Sequence, residues 1–269
     1  RVKKQLNFHF KGYLANGIMP TIMFTAPRGC GKTMLATALA NLLKVRDTNK
    51  RKIIFNCSQL RNLRQFWNEI VIPHVNDKDC TIIFDEASEL PKDVTMALLT
   101  ILNPNKDNRT SFSYEDYVID FNFYQQTFIL CTTEADKIFH ALRDRLDRID
   151  LQDYTHKELG AIVQMSLEDV EIENEDELLL EVASVLRGNA RQAQKMALNI
   201  NTYLAAKGNR KFTKADWEVL KKHIVIYPLG LSAKEIQILA YLSESKNMSL
   251  TNLAARTGLT RTCLQKDFE

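Results

Sequence analysis

Between Thr21 and Leu130 short apolar runs keep giving way to longer stretches whose apolar residues recur at helical spacing. The runs are Thr21–Phe24, Lys52–Phe55, Thr81–Phe84 and Thr127–Leu130, and the helical stretches are Lys32–Leu43, Leu60–Val75 and Lys92–Leu102. No run alternates cleanly between apolar and polar, so both faces of each strand are expected to be covered. Strands of that kind separated by helices predict a doubly wound α/β layer with a parallel sheet, here over residues 1–150.

Past Asp150 the strand signal disappears, and Lys157–Met165, Glu175–Leu186 and Ala190–Ala206 carry apolar residues at helical spacing. They predict a small helical domain over 151–226. A polar, basic stretch, Lys207–Thr213, leads through Trp217–Ile226 to a third segment, 227–269, with short helices at Ala233–Leu242, Leu250–Thr257 and Thr260–Lys266. Gly258 stands where one helix must stop and the next begin, as in a helix-turn-helix.

Composition narrows the class. A length of 269 residues has room for more than one domain with its own core. A net charge of +3, from 36 basic and 33 acidic residues, neither requires nor excludes a polyanionic partner, so any nucleic-acid site must be argued locally. The five cysteines are widely spaced, with no C-x-x-C pair and no signal peptide ahead of them. They predict a reducing, cytoplasmic setting rather than a disulfide framework or a zinc site. No apolar run approaches the ~20 residues of a membrane span. The chain begins at Arg1 and ends at Glu269 within a helical pattern, so both ends are expected to continue.

The strongest chemical signal is Ala26-Pro27-Arg28-Gly29-Cys30-Gly31-Lys32-Thr33, which follows an apolar strand and opens a helix. Gly29 and Gly31 let backbone N–H groups face phosphates at the positive end of the helix dipole, Lys32 reaches β and γ oxygens, and the Thr33 hydroxyl can ligate Mg²⁺. Ala26 replaces the usual first glycine. The run Thr81–Phe84 then delivers Asp85 and Glu86 at its carboxyl end, where ligands bind in open α/β sheets. Asp85 is expected to hold the Mg²⁺ shell and Glu86 to orient the attacking water. The next strand ends in Cys131-Thr132-Thr133, which offers a hydroxyl beside the acids, with Thr133 as first choice and Thr132 in reserve. Two arginine-bearing runs could stabilise charge on a transferred phosphoryl group: Leu142–Arg148, and Arg187-Gly188-Asn189-Ala190-Arg191. Taken singly, any of these arginines also reads as a solvated surface residue.

In order and spacing these residues resemble the RuvB family of AAA+ motors. That resemblance implies a P-loop α/β domain with an inserted β-hairpin (about 104–127, with Tyr114–Phe121 as its acidic-aromatic strand), a helical lid and an incomplete winged-helix domain. It makes Thr133 sensor 1, Arg145 the arginine finger supplied to a neighbouring subunit, and Arg191 sensor 2. It implies ATP and Mg²⁺ as cofactors, a homo-oligomeric and hexameric ring, duplex or four-way-junction DNA, branch migration in DNA recombination and repair, and a junction-binding partner at the 114–121 hairpin; in the family that partner is RuvA. DNA contacts are expected from Arg256, Thr260, Arg261 and Lys266 on or near the recognition helix. A helix-turn-helix can equally serve as a protein contact, and the basic stretch Lys44–Lys52 reads as an exposed loop. Two other mechanisms share the same parts: a clamp-loader-like or replication-initiator ATPase, and an ATP-gated DNA-binding scaffold.

Overall fold

The computed structural model describes residues 2–45, 48–75, 78–102, 109–114, 117–123, 126–244 and 247–267. It divides into two compact units, Arg1–Asp153 and Tyr154–Glu269.

In the first unit the longer strands are β1 (Ile22–Thr25), β2 (Arg51–Asn56), β3 (Cys80–Asp85), β4 (Arg109–Tyr114), β5 (Tyr117–Asn122), β6 (Thr127–Thr132) and β7 (Asp147–Asp150). Five of them form one sheet in the order β2-β3-β6-β1-β7, and every neighbouring pair is parallel. Successive side chains leave a strand on opposite faces. Ile82, Phe84, Met23 and Leu130 accordingly enter one core, while Ile83, Ile22, Phe24, Ile129, Cys131 and Ile149 enter another. Both faces of the inner strands are covered, so apolar residues fill both sets of alternate positions along them.

Two elements of this unit go beyond the sequence expectation. The helix Val2–Asn16 packs Leu6, Phe10 and Tyr13 onto the second core. Lys3, Lys4 and Lys11 dilute its apolar stripe, which is why periodicity does not announce it. Strand β7 reads Asp-Arg-Ile-Asp, with only Ile149 buried, because it pairs on one side alone, with β1.

Two expectations need correction. The helix expected over Leu60–Val75 begins at Leu63, where the Asn62 side chain accepts the Gln65 N–H, and it winds as a wider π-helix over Phe66–Val75. The run Tyr114–Phe121 is not one strand: β4 and β5 pair antiparallel with Tyr114 opposite Tyr117, so the chain reverses inside that run. The pairing register, which an unbroken acidic-aromatic run does not encode, decides this. Glu115 and Asp116 themselves, with 103–108 and 124–125 of the expected insertion, lie outside the described residues.

The second unit is a bundle of the helices His156–Met165, Glu175–Ser184, Ala190–Lys207 and Lys214–His223 around Leu159, Val163, Val182, Ala197, Ile200 and Trp217. The expectation of no further strand fails here. Glu171–Ile172 and Lys211–Phe212 pair in parallel, the second pair within the stretch read as a polar linker, because Phe212 is fully buried in the bundle core. The connection through Trp217 carries the helix Lys214–His223, which starts under a capping box in which Thr213 and Asp216 satisfy each other's backbone N–H. Three short helices follow: Ala233–Glu244, Leu250–Thr257 and Arg261–Asp267. Gly258 ends the second of them at φ 70°, donating its N–H to the Ala254 carbonyl at 3.0 Å.

Candidate functional site

The loop between β1 and the helix Lys32–Leu42 is shaped by its two glycines, Gly29 at φ 81° and Gly31 at φ 80°. Both positions hold a left-handed backbone in which any Cβ would be strained, so glycine alone adopts it cheaply. Ala26, in contrast, keeps a negative φ, so replacing glycine there costs no strain. Ala26 and Cys30 are buried, Pro27 and Arg28 exposed. The Cys30 thiol lies 3.7 Å from Asp153 Oδ1, and burial followed by the Asp153 charge pushes its pKa up.

Lys32 and Thr33 are the first residues of the helix and point to different tasks. Lys32 Nζ donates to the Ala26 and Pro27 carbonyls at 2.8 and 2.9 Å, folded over its own loop. The Thr33 hydroxyl donates to Asp85 Oδ2 at 2.8 Å. β3 carries Asp85 there on a strand whose preceding five residues are all buried. Glu86 follows at φ 53°, exposed, and the Asp85 Oδ1 accepts its backbone N–H at 3.1 Å. A left-handed glutamate costs of order 1–3 kcal/mol, strain of the kind that gathers at working sites.

The acidic pair sits over a dry floor. The Cys131 thiol is pushed up to about 12 by burial, then by the nearby Asp85 charge. Burial, then Asp85, also drives Cys57 far above the usual thiol range. Asn56 ends β2 directly opposite Asp85, a neighbour that only the strand register reveals.

β6 lies between β3 and β1, so its carboxyl end falls between the acids and the loop. The two threonines there divide. Thr132 is fully buried, its hydroxyl accepts the Glu134 N–H at 3.0 Å, and its carbonyl accepts the Ala26 N–H at 3.4 Å. Thr133 is half-buried, and its hydroxyl has no hydrogen-bond partner among the described residues.

Arg145 is not brought to this edge. It precedes β7, whose Asp147 pairs with Ile22 at the start of β1, while the loop begins after Thr25 at the far end. Four residues of strand, ~13 Å at ~3.3 Å each, separate those levels. Arg145 is exposed, and its guanidinium donates to the Ala141 carbonyl. Arg191 belongs to the second unit, exposed in the first turn of its helix, where its backbone N–H donates to Asn189 Oδ1 at 2.9 Å.

Among the residues expected to touch DNA, Arg261 is exposed. Arg256 instead pairs with Glu244 at 3.3 Å and lies 5.5 Å over the Tyr241 ring, and the Thr260 hydroxyl accepts the Cys263 N–H at 3.2 Å at the start of the last helix. Lys266 lies on that helix, its side chain outside the described residues. In the basic stretch, Lys44–Val45 and Thr48–Asn49 form a small antiparallel ladder; Arg46 lies outside the described residues. Lys50 is not on an exposed loop: it is buried against the Tyr13 ring, and burial lowers its pKa.

Comparison with known proteins agrees with this geometry. The profile of the AAA family, the ATPase family associated with various cellular activities, matches residues 22–154. The "Holliday junction branch migration complex subunit RuvB" of Lactobacillus helveticus is 25% identical across 100% of this chain and 77% of its own length. The Mycoplasma genitalium protein of the same name is 24% identical over 92% of this chain and 78% of its own. A Lon protease from Campylobacter concisus is 30% identical, over 54% of this chain but only 19% of Lon. The solved Thermotoga maritima "RuvB Holliday junction branch migration motor" superposes with a TM-score of 0.78 at 22% identity, covering 98% of this chain and 83% of that one. Among the described residues no helix is long and apolar enough to cross a membrane. Residues 22–154, which carry the glycine loop and the acidic strand end, thus match the AAA family of ATPases, and the similarity to RuvB proteins runs across both units.

Proposed function

We propose that the protein is an ATP-driven DNA motor that translocates duplex DNA and moves four-way junctions, hydrolysing ATP at sites shared between subunits of a ring. The observation that carries the catalytic part is the Thr33–Asp85 hydrogen bond, which draws a hydroxyl and a carboxylate from distant parts of the chain to one point. A hydroxyl and a carboxylate are hard oxygen donors of the kind that suit Mg²⁺. Thr33 and Asp85 would hold it; when bound there, Mg²⁺ supplies positive charge to the β- and γ-phosphates.

The chain's own residues supply the rest. Backbone N–H groups from Gly29 to Thr33 cradle the phosphates, and Lys32 exchanges its loop carbonyls for phosphate oxygens. Glu86, exposed beyond the strand end, accepts a proton from the attacking water, and the Thr133 hydroxyl orients that water or the γ-phosphate. Arg191 contacts the γ-phosphate from the lid. Arg145 stands on the opposite edge of its own sheet, so its natural target is a neighbour's nucleotide, which requires the head-to-tail contacts that close rings. A hexamer matches the family resemblance, as does a junction-binding partner on the β4–β5 hairpin. The similarity to RuvB across both units supports branch migration as the work done.

The test is ATP hydrolysis by the intact protein, alone and with linear duplex or a synthetic four-way junction, beside Glu86→Gln and mixtures of Arg145→Ala with wild type. DNA-stimulated turnover, loss of hydrolysis with ATP still bound in Glu86→Gln, and poisoning of wild-type subunits by Arg145→Ala support the motor. Hydrolysis indifferent to DNA, with wild-type subunits unaffected in the mixture, would replace it with a loader or an ATP-gated scaffold.

A further inference from the structure

The loop that leads into the Arg191 helix is held from two sides. Within the loop, Arg187 at φ 53° and Gly188 at φ 73° turn the chain sharply, and Asn189 Oδ1 accepts the N–H groups of Arg191 and Gln192. From outside, the Arg187 guanidinium pairs with Glu235 on the helix Ala233–Glu244 of the C-terminal segment. Glu235 is only 14% exposed, and its other oxygen accepts Ser232 N–H and O–H at 2.7 and 2.8 Å. Burial would raise the Glu235 pKa, but the Ser232 and Arg187 hydrogen bonds outweigh it and hold the carboxyl ionised.

A second tie lies beside the first. Gly230 is seated so close to the loop's approach that a Cβ there would stand 2.2 Å from the Val185 carbonyl oxygen. The connection that delivers Gly230 is itself bent through positive φ at Val225 and Leu229 and closed by Tyr227 N–H donating to the Leu231 carbonyl at 3.2 Å. Two ties of different chemistry therefore join the residues ahead of Arg191 to the first C-terminal helix.

We propose that the Arg187–Glu235 pair, with Gly230 seated on the Val185 carbonyl, is a strut that makes the Arg191 helix and the C-terminal helices move as one body, so that nucleotide state and DNA load are felt together. The inference rests on the proposed roles of Arg191 and of the C-terminal helices. Arg187 and Glu235 are positioning residues: neither touches nucleotide or DNA, and each acts through what it holds.

The experiment compares the full chain with Arg187→Gln, Glu235→Gln, the double variant and Arg187→Lys, by hydrogen exchange with and without a non-hydrolysable ATP analogue and by the ratio of DNA-stimulated to basal hydrolysis. Glu235→Gln keeps an oxygen for the Ser232 cap, so it separates the strut from folding of the helix end. In wild type the analogue slows exchange both at 187–192 and at 233–244. In either glutamine variant the first window still responds, the second does not, and DNA no longer stimulates hydrolysis. The double variant is no worse than either single one, and Arg187→Lys retains part of the coupling. The strut is overturned if both windows still respond in the glutamine variants, if the second window is silent in wild type while the first responds, or if the two substitutions add independently. If neither window responds in wild type, the nucleotide role of Arg191 has failed, and the strut falls with it.

Discussion

The Thr33 hydroxyl and the Asp85 carboxylate, 52 residues apart in the chain, meet at 2.8 Å across the carboxyl edge of the sheet. β1 and β3 are not neighbours; β6 lies between them, and the loop after β1 has to curl back over β6 for the two side chains to touch.

If that meeting point is where the metal ion sits, Asp85→Asn and Thr33→Ala should weaken Mg²⁺-dependent ATP binding by roughly 10–100-fold, the range seen when groups supporting a metal site are removed. Thr33→Ser, which keeps the hydroxyl, should bind within a few-fold of wild type. Calorimetric titration of ATP with and without excess EDTA reads the effect. Equal losses in EDTA would show that the pair supports the loop and not an ion.

The two threonines at the end of β6 should separate cleanly. Thr132→Val removes the acceptor of the part-buried Glu134 N–H and should lower stability by ~1 kcal/mol in denaturant unfolding. Thr133→Val removes a hydroxyl with no partner among the described residues, so unfolding should be unchanged while hydrolysis falls. The reverse pattern would make Thr132 the sensor.

For the C-terminal helices the exposed Arg261 is the cleanest probe, because Arg256 is already engaged by Glu244 and Tyr241. Arg261→Ala should weaken binding about equally across DNA sequences and reduce the salt slope of log K by about 1. Fluorescence anisotropy at a series of salt concentrations measures both. An unchanged slope would place this helix away from DNA.

Asp216 makes the second unit acid-sensitive. Burial alone would raise its pKa, but hydrogen bonds from Lys207, from Thr213 and from Tyr203 outweigh it and bring the value down to about 2, from 3.8. A carboxyl whose folded pKa is depressed adds stability that is fully present above its unfolded pKa and is lost as pH falls through the folded one. The window therefore runs from about pH 4 down to about pH 2, and the contribution above it is on the order of 2 kcal/mol. Asp216→Asn should lower the unfolding midpoint at neutral pH, with the gap to wild type closing toward pH 2. A gap that persists at low pH would trace the loss to the Thr213 cap and not to the charge.

How much of this was legible beforehand depended on whether the information was local. Gly29, Gly31, Lys32 and Thr33 lie within five consecutive residues after an apolar strand, and the acids close another such strand, so composition and spacing along the chain were enough to name both motifs and the parallel α/β class. Burial on both faces leaves its mark along the inner strands β3, β6 and β1, and Ile53, Ile54 and Phe55 mark the edge strand β2, whereas the other edge strand, β7, with one apolar residue in four, carries no such signal. The pairing of Tyr114 with Tyr117 needed register, which an unbroken acidic-aromatic run does not encode. The same holds for Asn56 beside Asp85, for the division of labour between Thr132 and Thr133, and for Arg187 meeting Glu235 across 48 residues. Local chemistry determined what the site is made of. Tertiary structure alone decided which groups are already satisfied and which remain free to act, because a hydrogen bond or a buried charge depends on neighbours that are distant in the chain.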